Sequence, residues 1–106
     1  MGGRSEQFWA RRPGGRPLPE FEWDPAKSAT NKTKHGVDFE QATAMWLDER
    51  AVKILAGEAS EVRYYLIAKL NGKMYTAIWT TRGTVVRLIS VRRSRRDEVT
   101  LYSGQD

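Results

Sequence analysis

Apolar and polar positions divide the chain into an irregular start, two helical stretches and a run of strands. Through Pro19 the residues Gly2, Gly3, Pro13, Gly14, Gly15 and Pro17 interrupt any period. Phe21-Glu22-Trp23 reads as a short strand. Asp24-Pro25 then predicts a helix start, with Asp24 as N-cap and Pro25 in the first turn. That helix runs to about Lys34 and ends at Gly36 in a left-handed cap. Asp38 predicts a second N-cap, with Gln41 as its reciprocal partner. Phe39, Ala42, Met45 and Trp46 follow at helical spacing and form its core face, to about Asp48.

The pattern changes to strands after that. Residues 51–56 form a short one; 63–70, 74–81 and 85–92 are longer and rich in β-branched and aromatic side chains. Asn71-Gly72 is a strong two-residue hairpin signal, and Arg82-Gly83 reads as a second tight turn. Ser94 is expected to cap a last helix, with Asp97 at the capping-box position, running towards Tyr102. The fold class predicted is α+β: an antiparallel sheet packed on two N-terminal helices, with a C-terminal helix.

The turns set a register, and register sorts the side chains. A two-residue loop at Asn71-Gly72 pairs Leu70 with Lys73, Tyr65 with Ile78, Arg63 with Thr80 and Glu61 with Arg82. A like loop at Arg82-Gly83 pairs Ile78 with Arg87 and Thr80 with Val85. One face then collects Tyr64, Leu66, Ala68, Ala77, Trp79, Val86 and Leu88 and must face the core. The other collects Arg63, Tyr65, Thr76, Ile78, Thr80 and Arg87, with Glu61 and Arg82 at one end. Arg92 falls in the apolar register, at the far edge, within reach of the last helix.

Charge sharpens that picture. The 106 residues carry 18 Lys and Arg against 13 acids, a net charge of +5, which favours a polyanionic partner. From Arg63 to Arg96 there are nine basic residues and no acid, and seven of the nine are Arg, the side chain that forks onto phosphate oxygens. The chain has no cysteine, which excludes disulfides, thiolate catalysis and Cys-ligated zinc. It has no apolar run of membrane-spanning length and no secretory signal, so no membrane is expected and the location expected is cytoplasmic. Residues 1–19 are read as a flexible basic leader, or as sequence left by cloning or an early start codon, with Phe8 and Trp9 its only docking hint. Residues 20–106 are read as the domain.

Cleaving RNA requires a base for the 2′-hydroxyl proton, positive charge on the phosphate and a proton for the leaving oxygen. Arg63, Arg82 and Arg87 are candidates for the charge. Glu61, His35 and Tyr65 are candidates for proton transfer, Tyr65 also for base stacking. Lys34, Lys69 and Arg92 are candidate RNA contacts. No metal and no cofactor are called for when the 2′-hydroxyl is the nucleophile. Each feature has a structural alternative: Glu61–Arg82 as a salt bridge, His35 as a helix C-cap. At the level of the whole chain, the alternatives are a non-catalytic nucleic-acid-binding module and an inactive homologue kept for a protein complex.

Phe21-Glu22-Trp23-Asp24-Pro25, Asn31, Lys34-His35-Gly36-Val37, Phe39-Glu40 and Ala42 together resemble the opening of the BrnT family of toxins. Thr80-Thr81-Arg82, Arg87-Leu88-Ile89-Ser90-Val91-Arg92 and Tyr102 resemble its later motifs. Val91 departs from the small residue usual there. The resemblance implies a type II toxin with a compact RelE-like fold and metal-independent ribonuclease activity that arrests growth. It also implies a BrnA-type antitoxin that neutralises the toxin, so that operator DNA is reached only through their complex. The matching polar positions are Lys34, His35, Arg63, Arg82, Arg87 and Arg92.

Overall fold

The computed structural model describes residues 18–57 and 61–104. The leader expected over 1–19, with Phe8 and Trp9, lies outside the described residues apart from Leu18 and Pro19. Glu20–Glu22 forms β1, Pro25–His35 forms α1 and Phe39–Ala42 forms α2, which continues as a 3-10 helix over Thr43–Leu47. Val52–Leu55, Tyr64–Leu70, Lys73–Arg82 and Val85–Arg93 are β2 to β5, and Arg96–Ser103 is α3. The helix starts follow local chemistry. Asp24 Oδ1 accepts the Ala26 amide at 2.9 Å, and Asp38 and Gln41 exchange the reciprocal capping bonds. Gly36 closes α1 at φ +81°, a left-handed conformation that costs a side-chain-bearing residue about 1 kcal/mol.

The sheet runs β1-β5-β4-β3-β2. It is mixed, not purely antiparallel as expected, because β1 pairs parallel to β5 and sets Glu22 beside Arg87. The Asn71-Gly72 register holds: Leu70 faces Lys73 and Tyr65 faces Ile78, and both turn residues take positive φ.

The second turn is Gly83-Thr84, not Arg82-Gly83. Arg82 pairs with Val85, so Thr80 faces Arg87, where Ile78 was expected. A shift of two leaves the faces unchanged. The bulge between Ile78 and Trp79 does not: Trp79 pairs with Leu88 but Ile78 with Ser90, leaving Ile89 as the extra residue on β5. Side chains beyond it change face. Val91 points into the core, and Arg92, paired with Thr76, joins the face of Arg87 instead of the apolar one.

The core lies on one side of the sheet. Phe39, Ala42 and Met45 pack on Leu66, Ala77, Trp79, Leu88 and Val91, with Trp46 edge-on to both Phe21 and Trp79. α3 serves the other side. Thr76 Oγ1 donates to Glu98 Oε1 at 2.9 Å, and both residues are buried, as is Ile67 on that same face. α3 starts one residue later than expected, with Arg95 at the N-cap. The Ser94 hydroxyl instead meets Thr76 Oγ1 at 2.8 Å, and Glu98 Oε1 accepts the Arg95 amide.

Two polar side chains complete the sheet where its outer strands stop. Beyond β1, Asn31 accepts the Val91 amide at 3.0 Å and donates to Val91 O at 2.8 Å, as a neighbouring strand would. The Asn31 side-chain Nδ2 also donates to Val37 O at 2.8 Å. Beyond β2, Asp48 Oδ2 accepts the Lys69 amide at 2.9 Å and the Tyr102 hydroxyl at 2.8 Å. Burial pushes the Asp48 carboxyl up, but the Lys69 and Arg50 amides and the Tyr102 hydroxyl outweigh it and hold the group below its ordinary range.

Candidate nucleic-acid interface

β1 ends beside the arginines of β4 and β5. Glu22 Oε2 lies 3.1 Å from Arg87 Nη1 and 3.7 Å from Arg82 Nε, so one carboxylate serves two guanidinium groups. The three side chains are between 33% and 62% exposed, so the cluster is open to solvent and retains donors for a further anion. Thr80 sits under it, paired with Arg87, and its hydroxyl donates to Val62 O. That bond draws the 61–63 segment to the same end of the sheet.

Arg63 thus reaches the neighbourhood expected of it, but from an irregular segment, since the β3–β4 ladder begins at Tyr64–Trp79. The expected pairing of Glu61 with Arg82 is wrong: Glu61 lies 3.5 Å from Arg63, and Arg82 meets Glu22. Arg63 Nε is buried without a hydrogen-bond partner among the described residues.

Arg92 shares the face of Arg87 but is already committed. Its guanidinium makes paired 2.8 Å bonds to both oxygens of Glu98 and lies 5.7 Å from the centre of the Tyr65 ring. The Arg92 bond is the main reason the Glu98 carboxyl is held down at about 2, against an ordinary 4.5. Tyr65 therefore has one ring face occupied by a cation. Lys69, exposed and paired with Met74, lies six residues along the ladder from the Thr80 row, about 20 Å away. It belongs to the opposite end of the sheet.

His35 and Lys34 come in from the side. α1 follows directly from β1 and runs beside β5 past the point where β1 stops, fixed there by the Asn31 bonds to Val91. Between helix and strand is a groove of about 240 Å³ lined by Lys27, Thr30, Asn31, Lys34, His35, Ile89 and Ser90. Ser90 faces Ile78 on the Arg87 side of the sheet, so this part of the groove lies on the same face as the arginine cluster.

Sequence reasoning missed Glu22. Its partner is 65 residues away across a parallel pairing, and no local pattern announces such a pairing. Its place in the short Phe21-Glu22-Trp23 strand, within the motif that opens the family resemblance, was the available trace. A larger cavity, about 420 Å³, opens on the core side among Trp46, Leu66, Trp79 and Val86, with Lys53, Asp48 and Glu49 around it. It gathers no arginine and lies on the opposite face from the cluster.

Among the described residues no helix is long and apolar enough to cross a membrane. A search of curated proteins finds no match. The model of one protein family, described as ribonuclease toxin, BrnT, of type II toxin–antitoxin system, matches residues 23–98. This stretch runs from the end of β1 through Glu98, taking in Arg82, Arg87 and the α1 groove, and covers well over half the chain. The chain belongs to the BrnT family of ribonuclease toxins of type II toxin–antitoxin systems.

Proposed function

We propose that this chain is a metal-independent endoribonuclease that cuts RNA by attack of the 2′-hydroxyl on the adjacent phosphodiester. One observation carries the reading: the Glu22 carboxylate held between Arg82 and Arg87 at the open end of the sheet. Glu22 takes the 2′-hydroxyl proton. The 2′-oxygen bonds to phosphorus while the bond to the 5′-oxygen breaks, leaving a 2′,3′-cyclic phosphate and a 5′-hydroxyl.

Arg87 and Arg82 balance the charge that builds on the phosphate. An entering phosphate also competes with Glu22 for the two guanidinium groups. As they turn to the phosphate, the carboxylate is released from its ion pairs and is free to meet the 2′-hydroxyl. Arg63 adds a third cation at the same end, with Glu61 beside it as a second carboxylate. Tyr65, on the Arg87 face of the sheet and two residues along the ladder from the Thr80 row, is the candidate acid for the leaving oxygen. In the cell the reading is of a cytoplasmic, RelE-like toxin that arrests growth until a BrnA-type antitoxin covers this end.

The test is cleavage of single-stranded RNA by the purified chain in EDTA, with the product ends identified. Glu22→Gln is expected to slow cleavage about 100-fold or more, and Arg63→Ala plus Arg87→Ala to abolish it. Loss of wild-type cleavage in EDTA would refute the metal-independent mechanism. Cleavage that survives the double arginine variant would refute the site.

A further inference from the structure

We propose that the groove between α1 and β5 is a second phosphate site, which holds the RNA backbone on one side of the bond to be cut. The inference rests on the reading that the chain handles RNA. It adds a binding site that the cleavage chemistry does not need.

Three features build the site. The first is the helix stripe. Lys27, Thr30 and Lys34 stand at i, i+3 and i+7, on one side of α1, and the two lysines are about 10 Å apart along the axis. From Pro25 to Val37 the sequence contains no carboxylate, and neither lysine forms an ion pair among the described residues. Lys32, on another side of the helix, is held instead by Gln41 Oε1 at 3.0 Å.

The second is the bulge. The extra residue at Ile89 lets Leu88 and Val91 both face the core while Ser90 turns outward. Ser90 therefore brings a hydroxyl to the groove floor, next along that face from Arg87. The third is Asn31, buried to 5% exposure, whose paired bonds to Val91 fix the distance between helix and strand. The negative end of the helix dipole falls at Gly36 and is matched by Lys32, Lys34 and His35. The groove runs along the helix flank from Lys27 to that end, where Lys34 and His35 line it and offset the dipole.

The order of groups along β5 gives the track its direction. Arg82 and Arg87 with Glu22 come first. Lys27 follows at the start of α1, and Lys34 and His35 lie at its end. A phosphodiester chain leaving the cluster along β5 meets these cations in succession. Their contacts read backbone charge and not base identity.

The experiment uses 2′-O-methyl oligouridylates of three and eight nucleotides, which lack the nucleophile, so binding is read without cleavage. Fluorescence anisotropy is followed across a KCl series for the full chain. Lys27→Ala plus Lys34→Ala is expected to weaken octamer binding about tenfold and trimer binding much less. The slope of log affinity against log salt should fall by about 1.4, from about 0.7 per lost phosphate contact. The charge-matched control is Lys32→Ala plus Lys73→Ala, both exposed and outside the groove. An equal loss in the control would overturn the site, because general charge would then explain the binding. An equal loss for trimer and octamer would overturn it too, because the lysines would not be acting on a flanking segment. A wild-type chain that shows the expected binding pattern and yet cuts no RNA would refute the ribonuclease reading and leave the groove standing.

Discussion

Replacing Asn31 with alanine tests the joint that holds α1 against the sheet. The side chain makes three hydrogen bonds: to Val37 O at 2.8 Å, to Val91 O at 2.8 Å, and from the Val91 amide at 3.0 Å. Each is worth about 1 kcal/mol net, and a buried backbone group left without a partner costs about 1–3 kcal/mol. Val91 is fully buried, so its amide and carbonyl would both be stranded. The expected loss is about 3–4 kcal/mol, a large share of the roughly 5–15 kcal/mol that holds a domain together. Urea unfolding monitored by tryptophan fluorescence measures it, and the thermal midpoint should fall by about 15 °C or more. Asn31→Asp keeps the acceptor for the Val91 amide but removes both donors and sets a carboxylate against two carbonyl oxygens. It should do at least as much damage as alanine. A loss below about 1 kcal/mol for Asn31→Ala would refute the account, because the strand edge would then be finding other partners at no cost.

Acid should weaken the fold through Glu98. Its carboxyl sits at about 2 when folded against an ordinary 4.5, so its contribution is present above pH 4.5 and is lost as pH falls towards 2. The size is about 3 kcal/mol, and Glu98→Gln should flatten the decline; an unchanged acid profile in that variant would contradict the assignment. Phe39→Ala should cost about 3–5 kcal/mol by emptying a fully enclosed position, measured by the same unfolding titration. A BrnA-type antitoxin should suppress RNA cleavage and protect the amides around Arg82 and Arg87 from hydrogen exchange; a complex that still cuts RNA would refute masking of this end.

Local chemistry was the most legible part of the sequence. Asp24, Pro25 and Gly36 bound α1 as expected, and Asp38 with Gln41 opens α2, because these residues act within one turn of the backbone they serve. Asn71-Gly72 fixed the β3–β4 register for a similar reason: the turn type demands positive φ at both positions. Gly83 misled by one place because a lone glycine does not say which side of it the turn lies on. The bulge at Ile89 carried no glycine and no change in composition, so the face of Arg92 was misjudged. Its link to the last helix was nonetheless foreseen, and Glu98 supplies the reason. Clustering of arginines was visible in the sequence, while the acid that organises two of them was not. Glu22 and Arg87 meet only because β1 returns alongside the last strand, a consequence of the whole topology.

The short outer strands bear on how the molecule behaves alone in solution. β1 covers only three residues of β5, and β2 only four of β3. Left bare, the remaining lengths would present rows of amides and carbonyls that another chain's strand could adopt. Asn31 and Asp48 occupy those rows with side chains, each backed by its own helix or turn, so an incoming strand finds the Val91 and Lys69 positions already taken. The exposed lysines and arginines can then remain at the surface without that surface becoming a seed for self-association.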